Sequence, residues 1–187
     1  MELQSELIGV FRKEIENLSG KCYEASSIVE VTDIIRGIVA ENGCRSVVIQ
    51  GLGVDGEQIK TELKRIGVQV LELERCEKPV DVLRTADMAI TPGGLLIANT
   101  GTLVMTTKSD EERLASCLPR IHVAIIASER IVSKPEDAAQ YLTDQLQGKS
   151  PTSVTFVSGP SRTADIEMKL ILGVHGPHQV HVIVLTS

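Results

Sequence analysis

Short, continuously apolar runs punctuate this chain. Val47-Val-Ile49, His122–Ala127 and Val180–Leu185 are rich in aliphatic and β-branched residues, and none is long enough to form a helix buried on all sides. A strand that is apolar without alternation must be covered on both faces, as in a parallel sheet lying between helices. The intervening segments supply the helices. Leu3, Leu7, Phe11, Ile15 and Leu18 recur at helical spacing, and Gly20 follows as a stop. Ser27 and Glu30 form a capping box ahead of the apolar face Val31, Ile34, Ile35, Ile38 and Val39, and Gly43 ends that helix. Further helices are predicted over 56–66, 80–85 and 135–146, the last opening on Pro135. Further strands are predicted over 68–73, 89–90, 101–105 and 154–157. The alternation predicts a single α/β domain over 1–187, with a mainly parallel sheet flanked by helices and residues 1–20 as an N-terminal amphipathic helix.

Composition narrows the function. Aromatic residues make up 2% of the 187 residues and Trp is absent, so the core is aliphatic and base-stacking platforms for single-stranded nucleic acid are missing. A net charge of -6 disfavours nucleic acid and anionic membrane surfaces as partners. The sequence lacks an 18-residue apolar run and begins with an acidic amphipathic segment, so the cytoplasm is the expected location. Cys22, Cys44, Cys76 and Cys117 are widely spaced and form no Cys-x-x-Cys, so no cofactor is evident and no iron–sulfur cluster is expected within this chain. His175, His178 and His181 are spaced three apart, but Gly176-Pro177 breaks any helix and a strand would send His178 and His181 to opposite faces, so no metal site is expected.

Gly51-Leu-Gly53-Val-Asp-Gly56 follows a predicted strand and opens a predicted helix, and Glu72 and Glu74 lie about 20 residues on. This is the context of a dinucleotide fingerprint, with the pyrophosphate on the helix start and a ribose hydroxyl on Glu74. Asp55 and Glu57 oppose it by placing negative charge where the pyrophosphate would lie, and Gln58 and Lys60 are large for close helix–strand contact. A dinucleotide-dependent oxidoreductase using Gly51, Gly53, Gly56 and Glu74 is therefore the secondary reading.

The C-terminal third carries Val157-Ser-Gly-Pro-Ser-Arg-Thr-Ala-Asp-Ile-Glu167, then Gly173-Val-His-Gly-Pro177 and His181-Val-Ile-Val-Leu185. Upstream stand Ile97-Ala-Asn-Thr-Gly-Thr-Leu-Val104, Arg113-Leu-Ala-Ser-Cys-Leu-Pro119 and His122-Val-Ala-Ile-Ile126. Together these resemble the LUD, or lactate-utilisation, domain family from about residue 28 to the end. The resemblance implies a fold like that of ribose-5-phosphate isomerase, glucosamine-6-phosphate deaminase and the CoA transferases. It also implies a subunit or accessory role in oxidising L-lactate to pyruvate, with iron–sulfur clusters held by separate partner subunits. Members of the family this chain resembles usually carry Glu or Asp at the position of Asn99, and an acidic residue is also common at that of Gly94. Asn99 orients a ligand but accepts no proton, so whether this chain is an enzyme stays open.

Two loops are candidate sites for a small carboxylate or phosphate. Gly159-Pro-Ser161-Arg162-Thr163 reads as a turn into a helix start near Ser161 or Thr163, whose free amides and the Arg162 fork attract anions. Asp165 and Glu167 complete that motif, and the competing reading pairs Arg162 with Asp165 simply to hold the loops together. Asn99, Thr100, Gly101 and Thr102 offer hydroxyls around a glycine at an expected strand end of a parallel sheet, or else an ordinary turn. His175, flanked by Gly176, is the candidate general acid or base, and His122 reads as structural. Rival readings are a stand-alone enzyme of the isomerase, transferase or cyclo-ligase kind, and a non-catalytic assembly or regulatory subunit. Self-association into a homo-oligomer stays open.

Overall fold

A computed structural model describes residues 2–73, 76–147, 153–163, 171–172 and 175–186. The apolar runs become strands of one six-stranded sheet in which every pairing is parallel. Its order is β1 (Lys21–Ala25), β12 (Gln179–Leu185), β7 (Ile121–Ala127), β4 (Met88–Pro92), β2 (Ser46–Ile49) and β3 (Gln69–Leu71). β7 is buried along nearly its whole length, as its continuous apolar run requires.

One face of this sheet is covered by α2 (Ile28–Asn42) and α3 (Gly53–Arg65), whose Val31, Ile35, Ile59 and Leu63 pack on Val47, Ile90, Val123 and Ile183. α2 starts where the capping box requires: Ser27 Oγ accepts from the Glu30 amide at 3.3 Å. The Glu30 carboxylate reaches one residue further back, to the Ser26 amide at 2.7 Å. Gly43 ends the helix at φ 61°, a left-handed position that glycine adopts without strain.

The opposite face carries a second sheet. It has the order β8 (Ile131–Val132), β5 (Leu95–Ile97), β6 (Thr102–Thr107) and β9 (Ser153–Val157), with β6 antiparallel to both neighbours. Leu96, Leu103 and Met105 turn inward onto Ala124, Ile126, Val182 and Val184, and α1 (Glu2–Asn17) closes this layer with Ile8, Phe11 and Ile15. Burying each of those three large side chains stabilises the fold by about 1.5–3 kcal/mol. Alternation sends Leu95, Ile97 and Val104 outward, where α6 (Ala138–Gln147) packs with Tyr141 and Leu142. α4 (Pro79–Thr85) and α5 (Asp110–Ala115) cover the part of the main sheet that the second sheet leaves, around Val48 and Ala89.

The mainly parallel α/β architecture is as predicted, while three details of the predicted elements differ. The predicted strands 101–105 and 154–157 belong to the mixed second sheet, not the parallel one. α1 stops at Asn17, and the left-handed position after it is taken by Ser19 at φ 67° and not by Gly20, which packs against Ile15. Pro135 begins a short 3-10 turn over Pro135–Asp137 that leads into α6. No helix among the described residues is long and apolar enough to cross a membrane.

Candidate functional site

After β2 the chain moves outward to β3, then returns to the other side of β2 as β4 and continues through β7 to β12. The winding therefore reverses between β2 and β4, and the carboxyl ends of two such strands leave an open crevice. A cleft of about 350 Å³ lies at this point. Gln50 and Gly51 follow β2 there, and Thr91, Pro92, Gly93 and Gly94 end β4. The opposite wall is Met105–Thr107 of β6 and the following Lys108, with Glu112, Arg130, Tyr141 and Gln145 around the rim.

Charge and hydrogen bonding make this cleft suited to an anion. Lys108 and Arg130 both line it, and among the described residues no carboxylate lies within ion-pair distance of Arg130. The acid at the rim, Glu112, is engaged in capping α5, where its carboxylate accepts from the Lys108 amide at 2.7 Å and its own amide donates to Ser109 Oγ at 3.2 Å. Thr107 falls on the same face of β6 as Leu103 and Met105, and is 4% exposed with a hydroxyl that has no partner among the described residues. Leaving such a group unsatisfied costs about 1–3 kcal/mol, so on the wall of a cleft it is a candidate ligand contact. Tyr141 Oη lies 3.1 Å from Thr106 Oγ1 and fills the space where a Cβ on Gly94 would stand. An acidic side chain at position 94 would collide with that hydroxyl.

The residues singled out in the sequence lie elsewhere. The Asn99–Thr102 turn joins β5 to β6 at the end of the hairpin away from the cleft, roughly 10 Å from the cleft-lining Met105 at about 3.4 Å per residue of strand. Asn99 is exposed, and its amide donates to Ser133 O at 3.1 Å. Thr100 Oγ1 donates to Thr102 Oγ1 at 2.8 Å, and Thr102 Oγ1 lies 2.8 Å from Ser158 Oγ. Gly101 sits on the backbone of Glu14 and Ile15, and Gly159 on Leu18. The structure thus brings the two predicted loops together, but around the end of α1 and at the amino edge of the parallel sheet. Thr102 begins an antiparallel strand, so the expected end of a parallel strand is not found there.

Of the two predicted helix starts, the one at Ser161 is not found. The Ser161 amide donates to Pro177 O at 3.0 Å, and Arg162–Thr163 form β10, which pairs antiparallel with β11 (Ile171–Leu172). With that amide engaged and Arg162 in a strand, no helix starts at Ser161, and residues 164–170, which would carry a helix opening at Thr163, lie outside the described residues. Arg162 is exposed and donates to Ser19 Oγ at 3.0 Å. His175 is exposed beside Gly176, which packs on Ser161. Asp165 and Glu167 lie outside the described residues.

The glycine motif opens a second cleft of about 420 Å³ at the ends of β2 and β3. Gly51 and Gly53 have φ of 72° and 54°, and Gly56 packs closely on Ile49 and Leu52, which are the roles glycines take in a strand–turn–helix. Lys60 crosses this cleft to Glu72 at 2.6 Å and also pairs with Glu57. Glu74 lies outside the described residues.

His122 and His181 are fully buried. His181 lies 3.2 Å from Tyr23 Oη and 2.9 Å from Gln179 Oε1, and burial with help from Lys21 lowers its pKa to about 4. Among the described residues no group of three or more His, Cys, Asp or Glu is arranged to hold a metal ion. Thr107, Arg130 and Tyr141 went unnoticed in the sequence because they come from separate segments with no shared motif. The one local signal was the turn at Pro92-Gly-Gly94, directly after a strand of the parallel sheet.

The LUD domain model matches residues 8–185. Lactate utilization protein C of Geobacillus sp. strain WCH70 is 30% identical over 98% of this chain and 80% of its own length. The protein of the same name from Anoxybacillus flavithermus is 30% identical over 98% and 82%. A crystal structure of a DUF162 family protein from Deinococcus radiodurans shares the fold, with a TM-score of 0.72, 21% identity, and coverage of 97% of this chain and 98% of that one. From residue 8 to residue 185, this chain belongs to the LUD domain family.

Proposed function

We propose that this chain serves lactate utilisation, and that the cleft between β2 and β4 receives the carboxylate of a small 2-hydroxy or 2-oxo acid. The observation that carries the reading is the unpartnered, buried Thr107 hydroxyl in a cleft also lined by Arg130 and Lys108. Arg supplies a planar fork matched to a carboxylate, and hydroxyl donors complement its remaining lone pairs. The name shared by the relatives supports L-lactate or pyruvate as the acid. In this reading the chain binds and orients the acid. The two electrons released when L-lactate becomes pyruvate pass to iron–sulfur clusters in partner subunits, and its four cysteines stay thiols.

A thermal-shift panel of L-lactate, pyruvate, a sugar phosphate, coenzyme A and NADH tests this, because a ligand that binds the folded state raises stability by mass action. Stabilisation by L-lactate or pyruvate is expected. Stabilisation by coenzyme A or NADH alone would assign the chain to a transferase or a dinucleotide-dependent enzyme instead.

A further inference from the structure

Beneath the cleft floor lies a histidine that no step above uses. His122 is 0% exposed, and its Nε2 lies 2.9 Å from Oγ1 of Thr91, a residue that is 2% exposed and lines the cleft. His122 Nδ1 is buried and has no partner among the described residues. Both side chains project from the face of the main sheet that meets the second sheet, since His122 alternates in phase with Ala124 and Ile126. Burial, together with the nearby His181, lowers the imidazole to about 4, so the ring is neutral at pH 7 and carries one N–H.

The two places for that proton are not equivalent. On Nδ1 it would be a buried donor without an acceptor, while Nε2 would accept the Thr91 proton and turn that hydroxyl away from the cleft. On Nε2 it donates to Thr91 Oγ1, and the atom left unpaired is a lone pair, a less costly orphan than a buried N–H. The Thr91 proton is then free to point elsewhere, and the cleft is the open space beside it.

We infer that His122 is a positioning residue that holds the Thr91 hydroxyl as a hydrogen-bond donor facing the cleft, where Thr91 and Thr107 together bind a carboxylate oxygen. This rests on the carboxylate reading above and names the neutral donors that accompany Arg130. It also gives the site a sign: two hydroxyl donors and a guanidinium favour an acid and reject an amine or another cation.

Long-range proton–nitrogen correlation spectra of the ligand-free protein at pH 7 report which ring nitrogen of His122 is protonated. Protonated Nε2 with bare Nδ1 is expected, and the reverse overturns the inference whether or not any ligand binds. Calorimetric titration with L-lactate supplies the second test. Thr91→Val should weaken binding by about tenfold or more, the usual loss of a hydrogen bond to a charged group, while Thr91→Ser should restore it. His122→Gln, which keeps a donor near Nε2, should bind like wild type, and His122→Phe should bind like Thr91→Val. Equal affinity of Thr91→Val and wild type would overturn the inference while leaving the carboxylate site intact. A wild-type protein that binds neither L-lactate nor pyruvate would overturn the carboxylate reading itself.

Discussion

Thr102 Oγ1 lies 2.8 Å from Ser158 Oγ and so ties the turn of the β5–β6 hairpin to the end of β9. With Thr100 it forms a short chain of hydroxyls between the loops. Removing one member by Thr102→Val should lower stability by about 1 kcal/mol, with L-lactate affinity unchanged. Urea denaturation beside a ligand titration reads both quantities. Loss of binding without loss of stability would make these hydroxyls ligand contacts.

Gly101 presses on α1 more severely than any hydroxyl contact. A Cβ there would stand 2.5 Å from Ile15 N and 2.7 Å from Glu14 C, at a φ of 56°. Backbone cannot yield as a side-chain tip does, so Gly101→Ala should destabilise by well over 1 kcal/mol. Gly53→Ala provides the comparison, because its φ is 54° but its Cβ would meet open space. It should cost only about 1 kcal/mol. Equal urea midpoints for the two variants would contradict this account of how the hairpin seats on α1.

These contacts explain what the sequence made legible. Continuous apolar runs identified β2, β7 and β12, and Ser27 with Gly43 bounded α2, because such signals are local. β1 was missed: its Lys-Cys-Tyr-Glu-Ala buries only Cys22 and Ala25 and does not read as apolar. α5, with six residues, and β8, with two, are too short for any periodicity to register. The motif Gly159–Thr163 marks the family strongly, yet it is built around Leu18, Ser19 and Pro177, none of which its spacing reveals. The cleft was hidden for the opposite reason. Thr91, Thr107, Arg130 and Tyr141 meet only because the winding reverses between β2 and β4 and the second sheet folds over that point.

Acid should destabilise the protein before its carboxylates titrate. His122 and His181 ordinarily titrate near 6.5 and are held near 4 in the fold, His122 by burial and then His181, and His181 by burial and then Lys21. The unfolded chain therefore binds more protons between these values. Stability is complete above pH 6.5 and falls as the pH drops towards 4, by about 3 kcal/mol for each histidine. Urea midpoints at pH 7, 5.5 and 4.5 check this, and a flat profile across that window would contradict it.

The glycine cleft should stay empty when offered a dinucleotide. Glu57 and Glu72 line it and Asp55 stands in the first turn of α3, so a pyrophosphate would meet carboxylates there. Fluorescence titration with NADH to millimolar concentration should show no binding. Saturable binding that Lys60→Ala abolishes would revive the dinucleotide reading.

The two arginines at opposite edges of the sheet give the most direct test of where the ligand goes. Calorimetric titration of L-lactate into wild type, Arg130→Ala and Arg162→Ala separates the cleft from the family-signature loop. Arg130→Ala should weaken binding by about tenfold or more, the loss of a charge-assisted fork, whereas Arg162→Ala should bind as wild type does. Full affinity in Arg130→Ala together with lost affinity in Arg162→Ala would contradict the account and place the ligand among the loops at the end of α1.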